Sequence, residues 1–413
     1  MSLGALLADA AARFPERPAL AFEGTRISYR ELDRLAEAAV PEAPLLPLPL
    51  PNVPESVVRF HGALRHDAVV VPLSPLLSER EVEVRRQPFE PSPGTAVVLY
   101  TSGTTGEPKR VELSHALLRA NAEYLARDAL ALTEDDVLFG SAPLAHVFGM
   151  TACMNATLAA GATLALVRRF DAREALETIA RDGVTVFMGV PAMLAGLLAA
   201  SAETGHAPEL RLAHCGGAPL PLDTLRAFEE RFGCTVLEGY GMTEVGGVAA
   251  TNHAGRPRKP GSVGQAAAGQ ELRVAADGEV LVQVDGRRIA TGDVGRLDND
   301  GYLFLLDRKK DVILRGGYTV YPREVEEALV THPAVREAVV VGVPHPALGE
   351  EVAALVVADG CTPDELTAFV RERVAAYKYP RVLAIVDDLP RGPSGKVLRR
   401  AINREALARQ VNL

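Results

Sequence analysis

Lysine is scarce in this 413-residue chain. Of 44 basic residues only six are lysine: Lys109, Lys259, Lys309, Lys310, Lys378 and Lys396. A GC-rich genome that favours arginine codons accounts for such a bias. The lysines that survive mark positions where a guanidinium is a poor substitute for a compact ammonium. Cysteine is equally sparse. Cys153, Cys215, Cys234 and Cys361 are scattered with no CxxC pair, which argues against a zinc ribbon or a disulfide framework and fits a reducing cytoplasm. No window of 18 apolar residues occurs, so no membrane span is expected. The first twenty residues lack a basic n-region, and Asp9 and Arg13 interrupt their apolar run, unlike a secretory signal. Positive charge is also short: the net charge is −9, which speaks against a sequence-blind nucleic-acid binder. Two phosphate motifs are missing. GxxxxGK[ST] does not occur, and GxGxxG fails after Gly239-Tyr240-Gly241, where Glu244 takes the sixth place.

What remains is an ordinary globular composition, 48% apolar and 23% charged, long enough for two or three domains. A helical pattern opens residues 1–40, interrupted by a short strand near Ala19–Phe22. Residues 41–52, PEAPLLPLPLPN, cannot be a regular helix. Ser56–Ala68 reads as helix and Val69–Leu73 as a buried strand. A polar, proline-containing stretch leads to Gly94, then Thr95–Tyr100 is apolar again. Strand candidates at Thr163–Val167, Val184–Met188, Leu210–His214 and Thr235–Glu238 alternate with helices, the pattern of an α/β sheet covered by helices. Residues 261–306 switch to short alternating strands between turns, as in a small antiparallel unit. Beyond Asp307, strands at Val312–Leu314, Ala338–Val341 and Ala353–Val357 surround helices at Pro322–Thr331 and Thr362–Tyr377. The expected fold is α/β: a large N-terminal domain over 1–307, and a small α+β domain over 308–413.

One loop carries the first chemistry. Tyr100–Lys109 reads YTSGTTGEPK. Thr101, Ser102, Thr104 and Thr105 supply hydroxyl donors, Gly103 and Gly106 free the backbone N–H groups, and Lys109 adds a charge. This is a nest suited to phosphate, although a flexible linker has the same composition. The segment resembles the phosphate loop of the adenylate-forming superfamily, which includes acyl-CoA synthetases, peptide-synthetase adenylation domains and firefly luciferase-like enzymes. The family usually continues Pro-Lys-Gly; here Arg110 stands in place of that glycine.

Six further segments follow in the family's order. APLAHVFGM (Ala142–Met150) resembles the acyl-CoA synthetase motif whose histidine, here His146, lies beside the carboxylate and gates the acyl tunnel. Peptide-synthetase domains carry Phe-Asp here to pair an α-amino group. His146-Val147 offers no such partner, so an α-amino acid substrate is not expected. CGGAPL (Cys215–Leu220) implies an adenine wall at Gly216, Gly217, Ala218 and Pro219. EGYGMTE (Glu238, Gly239, Tyr240, Gly241, Met242, Thr243, Glu244) implies Tyr240 on the adenine face, Thr243 on the α-phosphate and Glu244 on Mg²⁺. TGD (Thr291–Asp293) puts Asp293 on the ribose hydroxyls, with Arg308 as a second contact; an Asx turn is the plainer alternative. In DRKKDVILRGGYTVYP (Asp307–Pro322) the resemblance makes Lys310 the hinge and sets Gly316 and Gly317 against the pantetheine channel; RGGY is also a hairpin turn. RGPSGK (Arg391–Lys396) supplies Lys396, which the family uses on the carboxylate oxygen and the α-phosphate during adenylation. Lys109, Lys310 and Lys396 are half of the six lysines.

The resemblance therefore implies an ATP- and Mg²⁺-dependent acyl-CoA ligase with CoA as thiol acceptor. An acyl-AMP ligase loading an acyl carrier protein and a non-catalytic relative are the alternatives. Gly189, Val190, Cys215 and Gly247, with His146, are the candidate acyl pocket; being small or apolar they favour an uncharged fatty or aryl acid. Members of the family are usually longer. The shortfall is expected before Tyr100, at the Pro/Leu stretch and between Leu77 and Gly94, where exposed sheet edges could favour a homodimer.

Overall fold

The computed structural model describes residues 2–102, 108–391 and 397–411. By internal contacts the chain forms two units. The first runs to Leu272 and takes in Val282–Ile289 and Leu297–Phe304. The second takes Arg273–Leu281, Ala290–Arg296 and the chain from Leu305 onward. A four-stranded sheet has the order Gln270–Val274, Glu279–Val284, Arg287–Leu297, Leu303–Arg308. The expected boundary at 307/308 falls just inside the second unit.

The first unit is organised on a nine-stranded sheet. Its six inner strands, Thr235–Tyr240, Leu212–Cys215, Val186–Gly189, Val137–Gly140, Thr163–Leu166 and Pro18–Phe22, are neighbours in that order and all parallel. Thr163–Leu166, Val186–Gly189 and Leu212–Cys215 are buried at every residue, as parallel strands covered on both faces must be. One face carries an apolar cluster in which Phe139 stacks on Phe187 at 5.2 Å, joined by Leu176, Leu197 and Phe228 from the covering helices. Those helices are locally specified. Ala172–Asp182 starts where the Asp171 carboxylate accepts from the N–H groups of Arg173 and Glu174, and it ends at Gly183 in the left-handed region.

The Pro/Leu stretch is a strand, which the sequence reading did not foresee. Leu45–Pro49 forms the edge of a four-stranded sheet, parallel to Val69–Leu73, followed by Thr95–Ser102 and Pro108–Ser114. Val69 N–H donates to Pro44 O, and Leu50 N–H to Leu73 O. Strand alternation then turns the N–H groups of Leu46 and Leu48 inward and leaves positions 47 and 49 facing out. Both are proline. The outward ladder thus lacks the donors that another strand would need, the usual defence of a sheet edge. Between Leu77 and Gly94 a short helix, Glu79–Arg86, is set by a capping box between Ser78 and Glu81.

In the second unit the long hairpin Val335–His345 and Gly349–Ala358 pairs across ten positions. Val340, Val352 and Ala354 face one apolar cluster with Val325 and Leu366, while Val339, Val341 and Ala353 face another with Leu407. The helix expected over Thr362–Tyr377 is shorter, Pro363–Arg371. Val374 and Tyr377 continue the apolar spacing but reach the cluster from turns, Tyr377 stacking on Tyr318 at 4.6 Å. A helical period in sequence requires only that these residues share one face of the core.

Candidate functional site

In the first unit, three adjacent parallel strands end together in glycine. Gly189, Gly216 and Gly239 lie at the carboxyl ends of Val186–Gly189, Leu212–Cys215 and Thr235–Tyr240. Gly216 N–H donates to Gly189 O at 3.2 Å. A Cβ at Gly216 would sit 3.2 Å from Gly239 O and 3.6 Å from Phe148 Cε2, so any side chain here would push into the space between backbones. Gly217, Ala218 and Pro219 are exposed, and Val190 lies beside Gly217. The carboxyl ends of parallel strands are the general ligand crevice of open α/β sheets.

The GYGMTE segment runs on from the third of these strand ends. Its last residues form a turn in which Gly247 N–H donates to Met242 O and Gly246 N–H to Thr243 O. Two side chains far away in sequence fasten it. Asn121 Nδ2 donates to Val245 O and Gly246 O, and Gln270 Nε2 donates to Val248 O. Gly241 has no room for a side chain: a Cβ there would overlap the carbonyl of Gly247. Gly241→Ala should therefore cost about 1–3 kcal/mol of stability, the usual price of overpacking. It should lower nucleotide-dependent exchange further than a control of equal melting-temperature loss; equal losses would mean the turn matters only for folding.

Tyr240 and Glu244 are half-buried, and Glu238 is buried with its Oε1 accepting from Gly261 N–H at 2.7 Å. Among the described residues no three His, Cys, Asp or Glu side chains converge in a way that could hold a metal. A lone carboxylate at Glu244 nevertheless fits Mg²⁺, which is commonly held by one or two carboxylates, substrate phosphates and water.

Of the phosphate-loop residues, Thr101 and Lys109 face each other across the hairpin of Thr95–Ser102 and Pro108–Ser114. Gly103, Thr104, Thr105 and Gly106 lie outside the described residues. His146 is exposed, and its Nδ1 accepts from Phe148 N–H. The turn before it is set by Asn52, which is buried. Asn52 Nδ2 donates to Ser141 O and Ala142 O, and its Oδ1 accepts from Leu144 N–H. After His146, Phe148–Asn155 is a π-helix, a wide turn often found at functional sites. Cys215 and Ala213 point into the apolar cluster of the covering helices, whereas His214 between them faces the other way, against Phe148. Asn52, Asn121 and Gln270 have no local pattern that marks them; His214 falls within Ala213–Cys215, a stretch expected to line the acyl pocket.

In the second unit Asp293 is buried, and its Oδ1 pairs with Arg308 Nε at 2.7 Å. It sits inside an 11-residue strand, where Thr291 Oγ1 accepts from its N–H. Lys310 is exposed in a turn. Just before it, Asp307 accepts from Arg308 N–H and Arg323 N–H, while burial pushes its carboxyl above the usual range. Gly316 and Gly317 are the two loop residues of the hairpin Ile313–Arg315 and Tyr318–Val320, at φ +56° and +86°, as a type I′ turn requires. Lys396 lies outside the described residues. Its flanks are anchored: Arg391 bridges Val397, Leu398 N–H donates to Pro390 O, and Arg391 pairs with Glu337 at 2.5 Å. Arg399 donates to Glu326 at 2.8 Å and to Val340 O.

Comparison with known proteins shows the family. The family described as AMP-binding enzyme matches residues 7–91 and 85–294, and its C-terminal domain matches residues 324–396. The two N-terminal matches meet at 85–91, within the stretch where the shortfall was expected. A long-chain-fatty-acid–CoA ligase of Bacillus subtilis is 30% identical, covering 98% of this chain and 94% of its own. That alignment spans 536 positions against 413 residues here, so more than a hundred positions of that ligase have no counterpart. Among solved structures, an o-succinylbenzoate CoA synthetase from Bacillus subtilis, in complex with its acyl-adenylate, is 29% identical with a TM-score of 0.84, over 96% of this chain and 97% of that one. The same enzyme with ATP and a magnesium ion gives 30% and 0.82, over 96% and 98%. On a family match over most of its length and a relative aligned almost end to end, this chain belongs to the AMP-binding enzyme family.

Proposed function

We propose that this chain is an ATP-dependent acyl-CoA ligase. The observation that carries the reading is the row of glycines at the ends of three adjacent parallel strands, followed by the GYGMTE turn, in a chain whose relatives are CoA ligases, one of them solved with ATP and magnesium and with its acyl-adenylate. A carboxylate oxygen attacks the α-phosphorus of ATP in line, giving acyl-AMP and pyrophosphate. A thiol sulfur then attacks the acyl carbonyl, forming the thioester and releasing AMP. Positioning and charge neutralisation carry the first step.

Gly216, Gly217, Ala218, Pro219 and Tyr240 hold the adenine, and Asp293 with Arg308 holds the ribose. Thr101, Ser102, Gly103, Thr104, Thr105, Gly106 and Lys109 take the departing phosphates, and Thr243 binds the α-phosphate. Glu244 would ligate Mg²⁺, which offsets phosphate charge when bound. His146 stands at the carboxylate. Lys396 serves adenylation and Gly316–Gly317 the thiol step, with the second unit turning about Lys310 between them. Net charge and the nucleotide chemistry both suit the cytoplasm, and no described helix is long and apolar enough to cross a membrane.

The test is ATP–pyrophosphate exchange driven by fatty, aryl and dicarboxylic acids, followed by thioester assay with CoA and, as rival acceptor, an acyl carrier protein. Exchange followed by CoA thioester is expected. ATP binding without exchange for any acid would overturn the reading; thioester on the carrier alone would move the acceptor. For the thiol step, Gly317→Asn keeps a residue that tolerates the left-handed region. It should slow thioester formation more than about tenfold with exchange almost unchanged, the signature of a group used in one half-reaction only.

A further inference from the structure

The π-helix after His146 and the strand that ends at Cys215 bury polar atoms for which the reaction above has no use. His214 is 3% exposed. Its Nε2 lies 3.2 Å from Thr251 Oγ1. That hydroxyl already has carbonyl acceptors, Asn252 O at 3.0 Å and Glu238 O at 3.4 Å, so it gives its own proton to one of them and accepts from His214. Nε2 therefore carries the ring proton. Nδ1 is left as a bare acceptor, and no described residue pairs with it. Burial holds the ring neutral, pushing its pKa down to about 4. In the π-helix Thr151 is fully buried, and no described residue pairs with its Oγ1; a Cβ at Gly247 would lie 3.4 Å from Thr151 Cβ and 3.2 Å from Val147 Cγ2. Both polar groups thus belong to the wall formed by the segment of His146 and the Gly246–Gly247 turn.

The same wall is aromatic. Phe148 stacks on the His214 imidazole, with ring centres 6.1 Å apart and planes 20° from parallel. Phe148 is only half-buried, so it is the side of this wall that can give way. A planar group can stack against such a pair, an interaction a saturated chain lacks. Buried acceptors without partners are uncommon in native proteins and costly. Here one is a neutral imidazole fixed in one tautomer by its other nitrogen, which is the arrangement of a group reserved for a donor that arrives.

Resting on the ligase reading, we propose that the acyl pocket selects an aryl acid bearing a hydroxyl or amino group, whose N–H or O–H donates to His214 Nδ1, with Thr151 as a second polar contact. Cys215, on the opposite face of its strand, takes no part in this choice.

The test compares CoA ligation of hydroxybenzoates, aminobenzoates, benzoate, octanoate and palmitate. The best hydroxy- or amino-substituted acid should exceed benzoate in kcat/KM by at least about 30-fold, since sites that read a substrate hydroxyl reject the analogue without it strongly. His214→Leu should collapse that ratio to below about threefold. His214→Asn keeps a carbonyl oxygen near the place of Nδ1 and should preserve most of it, which guards against misfolding as the cause. Thr151→Val should lower it less. A ratio near one in the unaltered protein, a ratio that survives His214→Leu, or palmitate as the best acid would each overturn the proposal. Absence of pyrophosphate exchange with every acid would instead sink the ligase reading itself.

Discussion

Lys396→Ala is expected to slow acyl-adenylate formation by about 10²–10³-fold, the size of effect seen when one donor to a developing oxyanion is removed. Thioester formation from supplied acyl-AMP should stay within about threefold, because an interaction made only in the first transition state cannot affect the second. In the first step a carboxylate approaches a phosphate, and the pentacovalent phosphorus gathers further negative charge. A compact ammonium can sit between the two anions, whereas the planar fork of arginine demands a geometry of its own. Lys396→Arg should therefore recover little, a point that matters in a chain using arginine at 38 of 44 basic positions. The described residues on either side of it are tied down. Arg391 and Val397 bridge each other, and Arg399 is tied to Glu326 on one helix and to Val340 O on a strand. Pyrophosphate exchange and acyl-AMP thiolysis measure the two steps separately. Equal losses in both would remove Lys396 from its role.

The second large effect is acid lability of the first unit. His61 is buried in the helix Pro54–Arg65 with neither ring nitrogen paired among the described residues. Burial, reinforced by Arg65, pushes its pKa down to about 3, and burial pushes that of His214 down to about 4. Both rings are neutral when folded, yet an unfolded histidine takes up a proton near pH 6.5. Between those values the unfolded state binds more protons. Stability conferred by the two neutral rings is complete above about pH 6.5 and is lost as pH falls toward 4. With both groups contributing, the slope approaches about 2.7 kcal/mol per pH unit between pH 6 and 4. His61→Leu should roughly halve it. Urea titrations at several pH values, followed by hydrogen exchange in peptides from Pro54–Arg65 and Leu212–Cys215, would show the slope. A midpoint unchanged from pH 6.5 to 4.5 would contradict the assignment.

The sequence made some of this legible and hid the rest for physical reasons. Gly216 and Gly239 were legible because CGGAPL and EGYGMTE resemble the family's motifs, and Gly189 as a small residue in FMGVP. The capped helices could be read locally: Asp171 and Gly183 act within a few residues of themselves. Asn52, Asn121 and Gln270 could not. Their partners lie at Leu144, Val245 and Val248, and only the topology brings these together. His214 sits in an apolar strand, where period-two alternation says that it opposes Ala213 and Cys215 but not that Phe148 covers it. The π-helix over Phe148–Asn155 has no sequence signature that separates it from an ordinary helix. Leu45–Pro49 was obscured by its own prolines, which are unsuited to the middle of a sheet and well placed at its border.

That border bears on how a ligase can shrink. The family matches on this chain adjoin at residues 85–91, and its Bacillus subtilis relative has more than a hundred positions without counterpart here. An exposed sheet edge ordinarily invites pairing with another chain. A last strand whose outward positions are Pro47 and Pro49 gives a neighbouring molecule little to polymerise on. Adding outward N–H groups by Pro47→Val and Pro49→Val would then raise the tendency to associate edge to edge, on a sheet separate from the one that carries Gly189 and Gly239.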